Sequence, residues 1–235
     1  MKVQCVWEHN GNDTLLHIVD LPGACARGCD LETALSKVDG ELRAYLAWAG
    51  CKIPRMFAPE IVLDAACTLA VSDADSDVLW EAEKAPLSLE EYAYLKSLAL
   101  KSAEDFQALY DAIPDKDKST ALPRQTFYGQ VPRTANEMYT HTKNVNAYYF
   151  GEIDVAADNE GNIADCRRRG FYTLEQLPDY LKNSVAEGSY GEYWTLRKVL
   201  RRFIWHDRIH AKAMYRMAVK TFGQASVPNP FFFEI

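Results

Sequence analysis

Trp205-His206-Asp207-Arg208-Ile209-His210 decides how the second half of the chain is read. It places two of the five histidines four residues apart, and on an α-helix residues i and i+4 lie one above the other on one face. Both imidazoles then reach a single ion from adjacent turns. Phe203, Ile204, Trp205, Ile209, Met214 and Met217 make the segment a strongly apolar helix. Histidines buried without partners are costly, whereas one divalent ion satisfies both. The other reading is a pair of partly exposed surface histidines, and the apolar surroundings are what favour the metal; a third ligand must come from elsewhere. His141, in Thr134-Ala-Asn-Glu-Met-Tyr-Thr-His-Thr-Lys-Asn144, lies on a second helical stretch and is the best candidate. Three imidazoles with open coordination positions suit a divalent ion that activates a water or polarises a substrate.

Outward from these two stretches, helix signals recur. Ser88 with Glu90 and Glu91 opens a helix whose apolar residues Tyr92, Leu95, Leu98, Ala99, Phe106, Leu109 and Tyr110 share a face, and it ends before Pro114. Thr134 and Glu137 form a capping box, and that helix closes near Gly151. A loop through Arg169-Gly170 is expected next, with a third helix from Thr173, and the fourth follows Gly191 and stops at Gly223. Four such helices make a bundle, whose core can assemble metal ligands from facing helices. The first part of the chain reads as strands instead. Lys2–Glu8 and Thr14–Asp20 flank a turn-forming cluster at 9–13, Asp30 caps a helix that Gly50 ends, and Ile61–Val71 is expected to be a further strand before an acidic turn at 72–77. The boundary between the halves is expected between Val71 and Pro86.

Composition narrows the function classes. With 48% hydrophobic and 25% charged residues the 235-residue chain is ordinary for a soluble globular protein. A net charge of −7 argues against a nucleic-acid surface, which needs clustered Lys and Arg. Arg197, Lys198, Arg201, Arg202 and Arg208 read as a solvated helix face, and Arg167-Arg168-Arg169 as a basic loop; an anionic small-molecule substrate is the functional alternative. The opening residues have no apolar signal region and no stretch reaches membrane-span length, so a cytoplasmic location with reduced cysteines is expected and no membrane partner. Cys25 and Cys29 frame three residues with no second motif, a weak zinc signal.

Two resemblances follow from these residues. His17-Ile-Val-Asp-Leu-Pro-Gly23, Ala26-Arg-Gly-Cys-Asp30 and Leu31-Glu-Thr-Ala-Leu-Ser-Lys37 resemble the HicB-like pattern, in which a strand ends at a Pro-Gly turn and a short strand leads into a helix. Pro132–His141, His206-Asp-Arg-Ile-His210 and the closing Gly223 with Pro230-Phe231 resemble the DinB-like superfamily. Together they imply an α+β chain: a small HicB-like β-β-β-α-β domain over 1–80, then a DinB-like up-down four-helix bundle over 85–235. In the DinB-like pattern one histidine of the second helix and two of an HxxxH on the fourth bind a divalent metal, here His141, His206 and His210. Relatives include S-transferases using low-molecular-weight thiols such as bacillithiol or mycothiol, and metal-dependent hydrolases.

The expected function is therefore a metal-dependent enzyme on a small-molecule substrate, a thiol S-transferase slightly ahead of a hydrolase. Zinc or nickel is favoured, manganese or iron is compatible, and a low-molecular-weight thiol is the co-substrate of the transferase reading. Glu137, one turn before His141, is the economical general base, against its role in the capping box; Asn144, one turn after, can hydrogen-bond a ligand or be a core amide. Asp207 is rotated about 100° from His206 and should not share the ion; a salt bridge is its expected role. The alternative is a non-catalytic metal-binding or regulatory protein whose HicB-like domain binds a partner. A homodimer is compatible with either.

Overall fold

In the computed structural model, described for residues 1–68, 71, 76–126 and 129–234, the chain is mixed α+β, with five α-helices and a small mixed sheet. Strands β1 (Lys2–Asn10) and β2 (Asp13–Ile18) form an antiparallel hairpin whose turn Gly11 serves at φ 58°. β3 (Cys25–Gly28) pairs antiparallel with β2. α1 (Leu31–Trp48) follows, its first turn capped by Asp30, which accepts from the Thr33 amide at 2.7 Å. β4 (Ala58–Ala66) then returns parallel to β1, giving the order β3-β2-β1-β4. The strand expected at 61–71 thus begins and ends earlier. Its register is set from Lys2 opposite Ala58, with the Ala58 amide bonded to the Met1 carbonyl, and it stops where β1 stops. Positions 72–75 of the expected acidic turn lie outside the described residues.

The second part holds α2 (Leu89–Ala112), a short hairpin of β5 (Gln125–Thr126) and β6 (Gly129–Gln130), α3 (Ala135–Gly151), α4 (Ile163–Glu175), a second short ladder of β7 (Ala186–Glu187) and β8 (Tyr193–Trp194), and α5 (Leu196–Phe222). Both α5 and α4 pack on α2 and α3. The capping boxes at Ser88/Glu91 and Thr134/Glu137 are both formed. α4 departs from expectation, since it covers Arg167–Gly170, where a loop was expected, and ends just beyond Thr173, where a helix was expected to start. Asn162 caps it by accepting from the Asp165 amide at 2.8 Å. Position 170 of this helix is a glycine for a packing reason: a Cβ there would lie 2.1 Å from the Phe150 ring. Among the described residues no helix is long and apolar enough to cross a membrane.

One apolar cluster runs from Val3 to Phe233 and takes residues from both sides of the 71–86 boundary. Five of six β2 residues are buried, because α1 covers one face of the sheet and α5 with its neighbours the other. The Trp48 ring stacks on Phe231 at 5.8 Å and its indole N–H donates to Asp105 of α2 at 2.7 Å. The Pro22-Gly23 turn presses directly on α5. A Cβ at Gly23 would meet Ile204 at 2.4 Å and the Trp205 backbone nitrogen at 2.9 Å, and its φ of 87° also favours glycine.

Candidate metal centre

α5 presents His206 and His210 from adjacent turns, and α3 presents His141 opposite them. One ligand atom from each lies within 4.8 Å of the others. Ring centroids are 4.3 Å apart for His206–His210, 4.6 Å for His141–His210 and 5.2 Å for His141–His206. His206 is buried, His210 is partly covered and His141 is exposed, so the group opens to solvent on the α3 side. Among the described residues no fourth His, Cys, Asp or Glu joins it.

Burial, then the neighbouring His210 and His141, hold His206 well below the ordinary histidine pKa. Burial, reinforced by His141, pushes His210 down to about 3. Both rings are therefore neutral at pH 7, the state a metal requires. The buried Nδ1 of His206 has no hydrogen-bond partner, an orphan a ligand would resolve if that atom faced it. Three imidazole nitrogens this close together are a donor set that can hold a metal ion.

The neighbouring positions take definite places. Asp207 points away from the histidines and is fully buried against the Arg167 guanidinium of α4, with the Ser102 hydroxyl of α2 also donating to it at 2.5 Å. Burial raises its pKa and the Arg167 charge opposes that rise. Glu137 is exposed and spent on the helix cap, accepting from the Arg133 amide at 2.6 Å and the Thr134 amide at 3.1 Å. Those backbone bonds lower its pKa, which weakens it as a base. Asn144 is exposed on α3, and its carbonyl accepts from Asn159 at 3.0 Å. The Tyr149 ring, two turns beyond His141, meets the His206 ring edge-on at 5.9 Å.

The basic residues of α5 do not form a solvated face. Lys198, Arg201, Arg202 and Arg208 are all buried. Lys198 donates to the Asp77 and Tyr193 carbonyls at 2.7 and 2.8 Å and pairs with Glu192 at 2.7 Å. Arg201 pairs with Glu83 at 2.6 Å and stacks on Trp80, 4.2 Å from its ring centre. Arg202, one turn before His206, lies over the rings of Tyr149, Trp194 and Trp205 at 5.2, 5.3 and 5.1 Å. Arg208 is enclosed by Tyr45, Trp48, Phe231 and Phe233 at 4.8 to 5.5 Å. Sequence patterning cannot show this, because the carboxylates, carbonyls and rings that receive these cations come from distant segments.

A second buried polar group also escaped sequence reading. His17 Nε2 lies 3.0 Å from Glu8 Oε2 and 3.0 Å from the Ser76 hydroxyl, while Glu8 Oε1 accepts the Asp77 and Val78 amides at 3.2 and 3.3 Å. Burial pushes the Glu8 carboxyl up, but the His17 hydrogen bond and the neighbouring charges outweigh it and bring it down to about 2. The group clips the connector at 76–78 onto the sheet. No family model matches the chain, and neither does any curated protein or solved structure.

Proposed function

We propose that the chain is a metal-dependent enzyme acting on a small molecule, with His141, His206 and His210 as the ligands of one divalent ion, zinc or nickel ahead of manganese or iron. The observation that carries this reading is the convergence of three imidazoles from two helices within 4.8 Å, two of them held neutral by burial. When bound, the ion supplies Lewis-acid chemistry, polarising a substrate or favouring the deprotonated form of a thiol or water. Structural zinc sites are closed by four protein ligands, and a set of three leaves room for a substrate. The exposed side at His141 gives that substrate its approach. Tyr149 and Trp205 close the His206 side with apolar rings, and the Asp207–Arg167 pair fixes the face that α5 turns toward α3.

Three neutral imidazoles do not offset a +2 charge, so the favoured substrate carries an anionic group. A thiolate or a hydroxide meets that requirement, so the charge suits both reaction classes; with the DinB-like resemblance of the helical part, a thiol S-transferase is placed ahead of a hydrolase. The test is incubation of metal-loaded protein with a low-molecular-weight thiol and a haloarene, in which sulfur displaces halide. Thioether formation above the uncatalysed rate, lost in His210→Ala, is the expected result. Cleavage of ester or amide substrates with no thiol turnover would replace transfer by hydrolysis, and inertness toward both classes would overturn the enzyme reading.

A further inference from the structure

Arg202 lies one turn before His206 on α5, so a cation and a metal ligand share one side of the helix. Two rings join them. Tyr149 and Trp205 lie 5.2 and 5.1 Å from the Arg202 guanidinium, and the same rings lie 5.9 and 6.3 Å from the His206 imidazole. All four side chains are almost fully buried, so little water screens the guanidinium from whatever His206 holds. A guanidinium also stays charged at any working pH. After burial and the two neighbouring histidines, the Arg202 charge is the next influence on His206, ahead of Arg167, which Asp207 pairs. Burial pushes the Glu192 carboxyl up while Arg202 and Lys198 both draw it back, so that one carboxylate faces two cations.

We propose that Arg202 is a positioning residue of the metal centre, a fixed buried cation that selects an anion for the open side of the ion. The inference rests on the three-histidine reading of the site. A divalent ion among the histidines is repelled by the guanidinium across the two rings, and an anion seated on that ion is attracted. The charge therefore weighs against the bare ion and in favour of an ion that carries a thiolate or another small anion. A neutral donor gains nothing from it.

The test loads the full chain with cobalt(II), whose visible absorption reports the ion and its ligands, in a buffer without coordinating anions. Cobalt affinity is measured against a competing chelator, and sodium azide is then titrated into the loaded protein. In Arg202→Met cobalt should bind at least about threefold more tightly than in the unsubstituted chain and azide at least about threefold more weakly, while Arg202→Lys stays within about twofold for both. A purely structural role would weaken both affinities together, so shifts in one direction, or none, would overturn the proposal. An unsubstituted chain that takes up no cobalt would sink the three-histidine reading and this one with it. Cobalt uptake with an azide affinity that Arg202→Met leaves unchanged would sink this one alone. Should Arg202→Met fail to fold, the unsubstituted chain decides: imidazole that binds the cobalt-loaded protein as tightly as azide does would overturn the selection of an anion.

Discussion

Asp207 and Arg167 form a fully buried ion pair, the guanidinium donating to the carboxylate at 2.5 and 3.2 Å. Asp207 is next in sequence to His206, so the pair ties one face of α5 to α4 while the two histidines face α3. Removing one partner leaves a charge buried without its counterion. Asp207→Asn should cost about 3–5 kcal/mol of unfolding free energy in denaturant titrations and lower metal affinity with it. A loss below about 1 kcal/mol would show that α5 is oriented by its apolar packing alone.

Gly23→Ala is expected to destabilise the chain by about 2 kcal/mol or more, because the added Cβ meets Ile204 and the backbone of Trp205 and the φ of 87° is unfavourable for alanine. Since Gly23 precedes β3 and Ile204 lies in α5, the strain crosses from the sheet to the bundle. The whole chain should unfold in one transition, followed by near-ultraviolet dichroism and calorimetry, and the substitution should shift it as a unit. Two resolved transitions, only one of them moved, would mean that the shared apolar cluster does not couple the halves.

Much of this was legible in the sequence. The HxxxH spacing, the Thr134/Glu137 capping box, the Ser88 and Asp30 caps and the β-β-β-α-β order are set by residues close in the chain, where local periodicity carries the signal. α4 was hidden because Arg167-Arg168-Arg169-Gly170 has the composition of a loop. Its burial depends on Asp207, forty residues away, and on the Phe150 ring that needs a glycine beneath it. The Glu8–His17 group was hidden for a similar reason: β2 is covered on both faces, so no alternation marks His17 as inward-facing.

Acid should weaken the metal-free protein from about pH 6.5 downward. His17, His206 and His210 all have depressed folded-state pKa values, chiefly through burial. The unfolded chain therefore takes up protons that the folded chain refuses, and stability present above the ordinary histidine pKa of 6.5 is lost as pH falls toward the folded value, about 3 for His210. Melting temperatures between about pH 7.5 and 4 check this. His210→Phe should flatten the slope, and an unchanged slope would show that the ring is already protonated in the folded state.

Glu137→Gln should leave metal content unchanged and cost less than about 1 kcal/mol, since the carboxylate serves the α3 cap. A fall in metal content would place Glu137 within reach of the ion and restore it as a site residue.

The most direct measurement is elemental analysis of the purified full chain beside His141→Ala, His206→Ala and His210→Ala, with dichroism confirming that each is folded. The expected result is about one divalent ion per chain in the unsubstituted protein and most of it lost in each variant, because two imidazoles hold an ion far less well than three. No metal in the unsubstituted protein after incubation with zinc or nickel, or a content that all three substitutions leave unchanged, would contradict the three-histidine centre.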